Sequence, residues 1–95
     1  MRIPIDAIIP DMSLELYQSV ALRRDLPEQN LKKGDVATLI DRVPHPSGGE
    51  EGYILEVFNA VGESLKVIAV PSSDVEVLRA DEILTVRSLV THHLS

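Results

Sequence analysis

Leu22-Arg23-Arg24-Asp25-Leu26-Pro27-Glu28-Gln29-Asn30-Leu31-Lys32-Lys33-Gly34-Asp35-Val36-Ala37-Thr38-Leu39-Ile40-Asp41-Arg42-Val43 joins a short apolar run to a polar loop and then to a long β-rich run. Pro27 fixes φ and lacks an N–H, while Asn30 and Gly34 tolerate turn geometry, so Asp25 to Lys33 reads as a loop. Lys33-Gly34-Asp35 opens the following strand, and Gly34 is the position with special backbone needs. From Asp35 to Val43 the β-branched residues alternate imperfectly. Apolar residues on both faces fit a strongly bent strand shared between two halves of a small barrel.

Working outward, Ser19 to Leu22 reads as a short strand. Upstream, Asp11-Met12-Ser13 could cap one helical turn through Leu16. Pro4 and Pro10 bracket Ile5 to Ile9, too short for a useful helix and better suited to an edge strand or an extended arm. Downstream, Pro44 to Gly52 is the strongest loop signal, with two prolines, three glycines and no large apolar residue. Tyr53 to Phe58 is the clearest strand, with Tyr53, Leu55 and Val57 on one face. Asn59 to Glu63 turns the chain and Ser64 to Val70 returns as the second arm of a hairpin. Pro71 to Asp74 predicts a tight 3₁₀-type turn, and Val75 to Leu78 a short last barrel strand. After a break at Arg79 to Glu82, the β-branched content of Ile83 to Val90 favours a strand over a helix capped by Asp81.

The fold class is therefore mainly β: a small SH3-like β-barrel of about five strands, with an N-terminal arm and an extra C-terminal segment. Residues 1–11 form the appendage, 12–90 the barrel domain and 91–95 a frayed end. The expected core is Val20, Leu22, Leu26, Val36, Leu39, Ile40, Leu55, Val57, Val67, Ala69, Val75 and Leu78.

Ninety-five residues suit one domain near the lower size limit for a self-sufficient core. Hydrophobic residues make up 44% and charged residues 25%, a globular balance. No apolar run approaches the roughly 20 residues of a membrane-spanning helix, and Met1 to Asp6 lacks the unbroken apolar stretch of a signal peptide. The absence of cysteine removes disulfides and thiolate chemistry, and suits a reducing, cytoplasmic setting. A net charge of −6 opposes general nucleic-acid binding, because affinity for phosphates comes from Lys and Arg. Arg23-Arg24 and Lys32-Lys33 are flanked by acids and read as solvated loop charges.

Chemistry is hard to place on these residues. His92 and His93 are adjacent, so on a strand they point to opposite faces, and His45 sits between two prolines. The serines lie in turns and termini, and no Gly-x-Ser-x-Gly elbow is present. Glu50-Glu51 and Asp81-Glu82 are neighbouring loop acids that stay solvated, whereas a general acid needs burial. Two glutamates within Gly48-Gly49-Glu50-Glu51-Gly52 would repel a phosphate. Tyr17, Tyr53 and Phe58 are too few aromatics for a proline-rich peptide groove. No catalytic residue, cofactor site, metal site or small-molecule substrate is predicted.

Asp25-Leu26-Pro27-Glu28-x-Asn30-Leu31-Lys32-x-Gly34-Asp35-x-Ala37-Thr38-Leu39 resembles the signature of a small bacterial family, domain of unknown function 4926. The similarity continues through Pro44-His45-Pro46-Ser47, Leu55-Glu56-Val57-Phe58-Asn59 and Arg79-Ala80-Asp81-Glu82-Ile83-Leu84, so that it covers Leu14 to about Leu89. The resemblance implies a compact SH3-like barrel with no known activity, and partners among small proteins encoded nearby, including toxin–antitoxin-like pairs. Similar sequences tend to begin near Met12, and many carry a histidine where this chain has Gln29.

The leading expectation is a non-enzymatic protein-interaction module, extended by the resemblance to the neutralising half of an operon pair. Its candidate contact rim is Glu28, Glu50 and Glu51, where the loops Asp25 to Lys33 and Pro44 to Gly52 would form one acidic edge that sets on-rate. The alternative is a self-associating structural protein, with Ile5 to Ile9 or Ile83 to Val90 pairing between two copies. A ribosome- or nucleic-acid-associated barrel is the third reading, suggested by Lys33-Gly34-Asp35 and opposed by charge.

Overall fold

The computed structural model describes residues 15–90. The expected N-terminal arm, most of the capped turn before Leu16 and the end from Thr91 to Ser95 lie outside the described residues.

Among the described residues there are five strands: β1 Ser19–Leu22, β2 Val36–Val43, β3 Gly52–Phe58, β4 Ser64–Pro71 and β5 Val75–Val77. All neighbours are antiparallel, in the order β4-β3-β2-β1-β5. This is the strand order of a small SH3-like barrel. Its pivot is β2, which pairs with β1 through Val36, Ala37 and Thr38 and with β3 from Thr38 onward. The register slips between Leu39 and Asp41, leaving Ile40 as the extra residue of a bulge. A bulge bends its strand and increases its twist, so one strand can serve both halves. The imperfect alternation of β2 is the sequence trace of that bend.

The core is one cluster that includes Val20, Leu22, Leu39, Leu55, Val57 and Val75, with Leu39, Leu55 and Val20 fully enclosed. Each such side chain contributes about 1.5–3 kcal/mol by leaving water. The loop before β2 is more than a connection. Leu26 and Leu31 face each other through hydrogen bonds of 2.9 and 3.1 Å and both side chains are buried. Between them Pro27–Gln29 forms a 3₁₀ turn that ends on Asn30 in the left-handed region, φ 57°. Leu26 was expected in the core and Leu31 was not. Gly34 has φ +93°, which bears out its special role at the opening of β2.

Several core expectations need correction. Val67 and Ala69 are exposed, Val67 by 55%, while Ile68 and Val70 are buried. Residues directly opposite on an antiparallel pair share a face. Leu55 stands opposite Ile68 and Tyr53 opposite Val70, so those two point inward. Leu65 to Val70 is apolar in both phases except at Lys66, and the register, shifted by an irregularity at the hairpin end between Val57 and Phe58, selects the other phase. Ile40 is only half-buried because it is the bulge residue; Val36 lies on the outer row of β2; Leu78 lies past the end of β5. Ala21, Ala37 and Tyr53 are further buried residues.

The same register places two cations on inner rows. Arg42 stands opposite the buried Tyr53, and Lys66 opposite the buried Val57. Lys66 extends its amine to the carbonyl of Gln29 at 2.6 Å, tying the barrel to the 3₁₀ turn. The buried Nε of Arg42 has no hydrogen-bond partner among the described residues.

The expected strand at Ile83 to Val90 is not formed. Arg79 to Glu82 makes a turn closed by the Glu82 N–H on the Arg79 carbonyl at 3.1 Å. Beyond it the chain runs as an irregular segment that pairs with no strand. The turn carries the chain off the edge of β5, and the anchors described below hold it to the loop before β2 instead of to a sheet edge.

Candidate functional site

The C-terminal segment from Ile83 to Val90, here called the strap, spans a groove whose opposite wall is the barrel. The strap is held by side chains. Arg87 donates from Nε to Asp35 Oδ1 at 2.8 Å and from Nη2 to Oδ2, and Nη2 also reaches the Asn30 carbonyl at 3.3 Å. Asn30 returns a bond from Nδ2 to the Leu89 carbonyl at 3.0 Å. Asp35 is already placed by its strand-opening turn, where it accepts the Lys32 N–H at 2.8 Å. The fork from Arg87, aided by the Lys32 N–H, holds the Asp35 carboxyl below its ordinary pKa, and the carboxylate raises that of Arg87.

The groove has a volume of about 920 Å³. Ala21, Val36 and Thr38 from β1 and β2 contribute to one side, Phe58, Val61 and Leu65 from the β3–β4 hairpin to another. Ala21 belongs to the outer row of β1, opposite Val36 and Glu76, yet it is buried, so the groove walls shelter it. The strap does not fill this space. Ile83 is 93% exposed and Val86 89%, and Leu84, Leu89 and Val90 are exposed as well. A small-molecule pocket would need several convergent polar groups. Here the walls are mostly aliphatic and the Asp35–Arg87 pair is satisfied internally.

The predicted rim residues occupy a different region. Glu50 accepts from the Ser73 N–H at 2.6 Å and the Ser72 hydroxyl at 3.1 Å, capping the 3₁₀ turn Ser72–Asp74. Those bonds, led by Ser73, hold its carboxyl below the usual range. The half-buried Glu51 accepts the Ser72 N–H on its carbonyl at 2.9 Å. The buried Asp74 side chain takes Nε of Arg24 at 3.0 Å, and Arg24 also feels Glu28. The two loops of the expected rim are thus linked through the turn Ser72–Asp74. The turn itself was expected from Pro71-Ser72-Ser73-Asp74; its bridging role was not.

Among the described residues no group of three or more His, Cys, Asp or Glu could hold a metal ion. His45 accepts the Ser47 N–H on Nδ1 at 3.1 Å and serves its own loop. His92 and His93 lie outside the described residues. No described helix is long and apolar enough to cross a membrane.

Fold and site together define a small SH3-like barrel that carries an apolar strap across an open groove. A family model described as Domain of unknown function (DUF4926) matches residues 16–77, and the chain belongs to that family. The match takes in all five strands and ends at Val77, short of the Leu89 limit read from the sequence, so the strap lies beyond it. No curated protein and no solved structure matches the chain.

Proposed function

We propose that the domain is a non-enzymatic protein-interaction module whose strap and groove receive a protein partner. The supporting observation is the strap itself: a segment tied at Arg87 and Asn30 that keeps Ile83 and Val86 almost wholly in water beside an apolar groove. Exposed apolar side chains in a contiguous patch are stable features only where something covers them in use. Glu28, Glu50 and Glu51 lie on the acidic rim and contribute attraction at encounter rather than buried contact. The net charge of −6 favours a basic partner, and the family resemblance adds the neutralising role in a toxin–antitoxin-like pair as the finer form of this reading.

The test is a paired capture from native extract with the wild-type chain and with Ile83→Lys/Val86→Lys. A stoichiometric partner retained by the wild type and lost by an equally stable variant is the expected result. Equal retention by both would remove the strap from the interface.

A further inference from the structure

We infer that the strap is a hinged wall of the groove: it swings about the turn Arg79 to Glu82 and is held closed by a latch at its far end, the fork of Arg87 on Asp35. The inference rests on the reading of the groove as an interaction site and adds how access to that site is controlled.

The strap has one seat. From Arg79 to Val90 every residue is exposed except Arg87, which is half-buried. Apolar burial therefore holds almost none of this segment against the barrel. Among the described residues no backbone hydrogen bond ties Ile83 to Val90 to the rest of the chain. The side-chain bonds that do cross converge on two residues of one loop. Arg87 donates to both Asp35 carboxylate oxygens and to the Asn30 carbonyl, and Asn30 Nδ2 donates to the Leu89 carbonyl.

The hinge lies at the other end. Leu78 is the last half-buried residue before the turn. Within the turn the Arg79 N–H donates to Glu82 Oε1 at 2.6 Å, and the Arg79 guanidinium to the two Asp81 oxygens at 3.0 and 3.3 Å. With the Glu82 N–H on the Arg79 carbonyl at 3.1 Å, these bonds close the turn on itself and none reaches the barrel. A short exposed turn of this kind rotates at its junctions with Leu78 and Ile83 without breaking a contact elsewhere.

Opening consequently costs the latch alone, a local event below global unfolding. It carries away the wall that Ile83 and Val86 form and leaves the one formed by Val36, Phe58 and Val61. The groove then widens instead of offering a fixed slot.

The chain contains no cysteine, so two introduced thiols carry spin labels without background. Val61 and Val86 are exposed and line the groove from the hairpin and from the strap. In Val61→Cys/Val86→Cys, dipolar electron spin resonance should give one narrow inter-label distance. Adding Asp35→Asn keeps an acceptor for the Lys32 N–H and removes the charge that holds Arg87. The distance should then lengthen and its spread at least double, while a barrel pair, Val43→Cys/Val67→Cys, stays unchanged. An equally narrow distance with Asp35→Asn would overturn the latch, and a broad one without it would overturn the closed wall. Equal broadening of the barrel pair would overturn the hinge, because the barrel itself would have loosened. If the wall proves fixed yet Ile83→Lys/Val86→Lys loses a captured protein, the interaction reading stands with a rigid groove. If the wall swings but that variant loses nothing, the hinge stands and the interaction reading falls.

Discussion

Arg87 reaches Asp35 across 52 positions of sequence and closes on it as a two-pronged fork. The pair ties a segment outside the barrel to the turn that opens its central strand. Two parallel N–H···O bonds fix an orientation as well as a distance, which a lone lysine would not. The strap is consequently held beside the groove while its apolar side chains stay in solvent.

Arg87→Ala should free the strap and leave the barrel intact. A nonspecific protease should then cut between Ile83 and Val90 several-fold faster than in wild type. Global stability should fall by no more than about 1.5–3 kcal/mol, the usual worth of hydrogen bonds to a charged group in a part-buried pair. A loss well beyond that would mean the strap is part of the cooperative core.

The same pair predicts an acid limit. Asp35 titrates below its ordinary 3.8 because Arg87 bonds the charged form. A lowered folded pKa contributes stability that is complete above the unfolded value and disappears as pH falls through the folded one. The clasp is therefore intact at neutral pH and opens below pH 3.8. Following the Asp35 carboxyl carbon by NMR should give a midpoint under that value; a midpoint at or above it would mean the fork is not formed in solution.

The β4 register gives a paired prediction. Ile68→Ala should destabilise the domain by about 2–4 kcal/mol, as should Leu55→Ala opposite it. Val67→Ala, one position away and on the outer face, should change stability by less than about 0.5 kcal/mol. Chemical denaturation of the three variants checks the phase of the whole strand. Reversed magnitudes for positions 67 and 68 would require a one-residue slip.

Gly34→Ala isolates a backbone effect. A Cβ at Gly34 would meet nothing within 4 Å, so any cost comes from φ +93° alone. It should be about 1–2 kcal/mol, the penalty of a side chain in left-handed geometry. A neutral substitution would mean the turn before β2 is not in that conformation.

Local chemistry made much of this fold readable. Pro27, Asn30 and Gly34 mark their turns because each residue has an intrinsic conformational limit. The bend of β2 shows as apolar residues on both faces, and Pro71 followed by Ser72-Ser73-Asp74 announces the 3₁₀ turn. What did not show depends on pairing between distant segments. Lys66 is the one polar residue in the inward phase of β4, so hydrophobicity alone pointed to Val67 and Ala69; only the register opposite Leu55 brings Ile68 inward. The strap reads as a strand in the sequence because β-branched residues favour an extended backbone whether or not a neighbour exists. Its anchor, Arg87 on Asp35, had no local signal at all. The rim acids were visible as charges, whereas the capping role of Glu50 depends on Ser72 and Ser73 arriving from the far end of β4.

Residue-resolved amide hydrogen exchange on the wild-type chain, in dilute solution, tests most directly whether the strap is left uncovered as an interaction element. At low concentration the amides of Ile83 to Val90 should exchange close to unprotected rates while those of β2 and β3 stay protected. Full strap protection in the dilute protein would contradict the account, because the segment would already be covered within one chain.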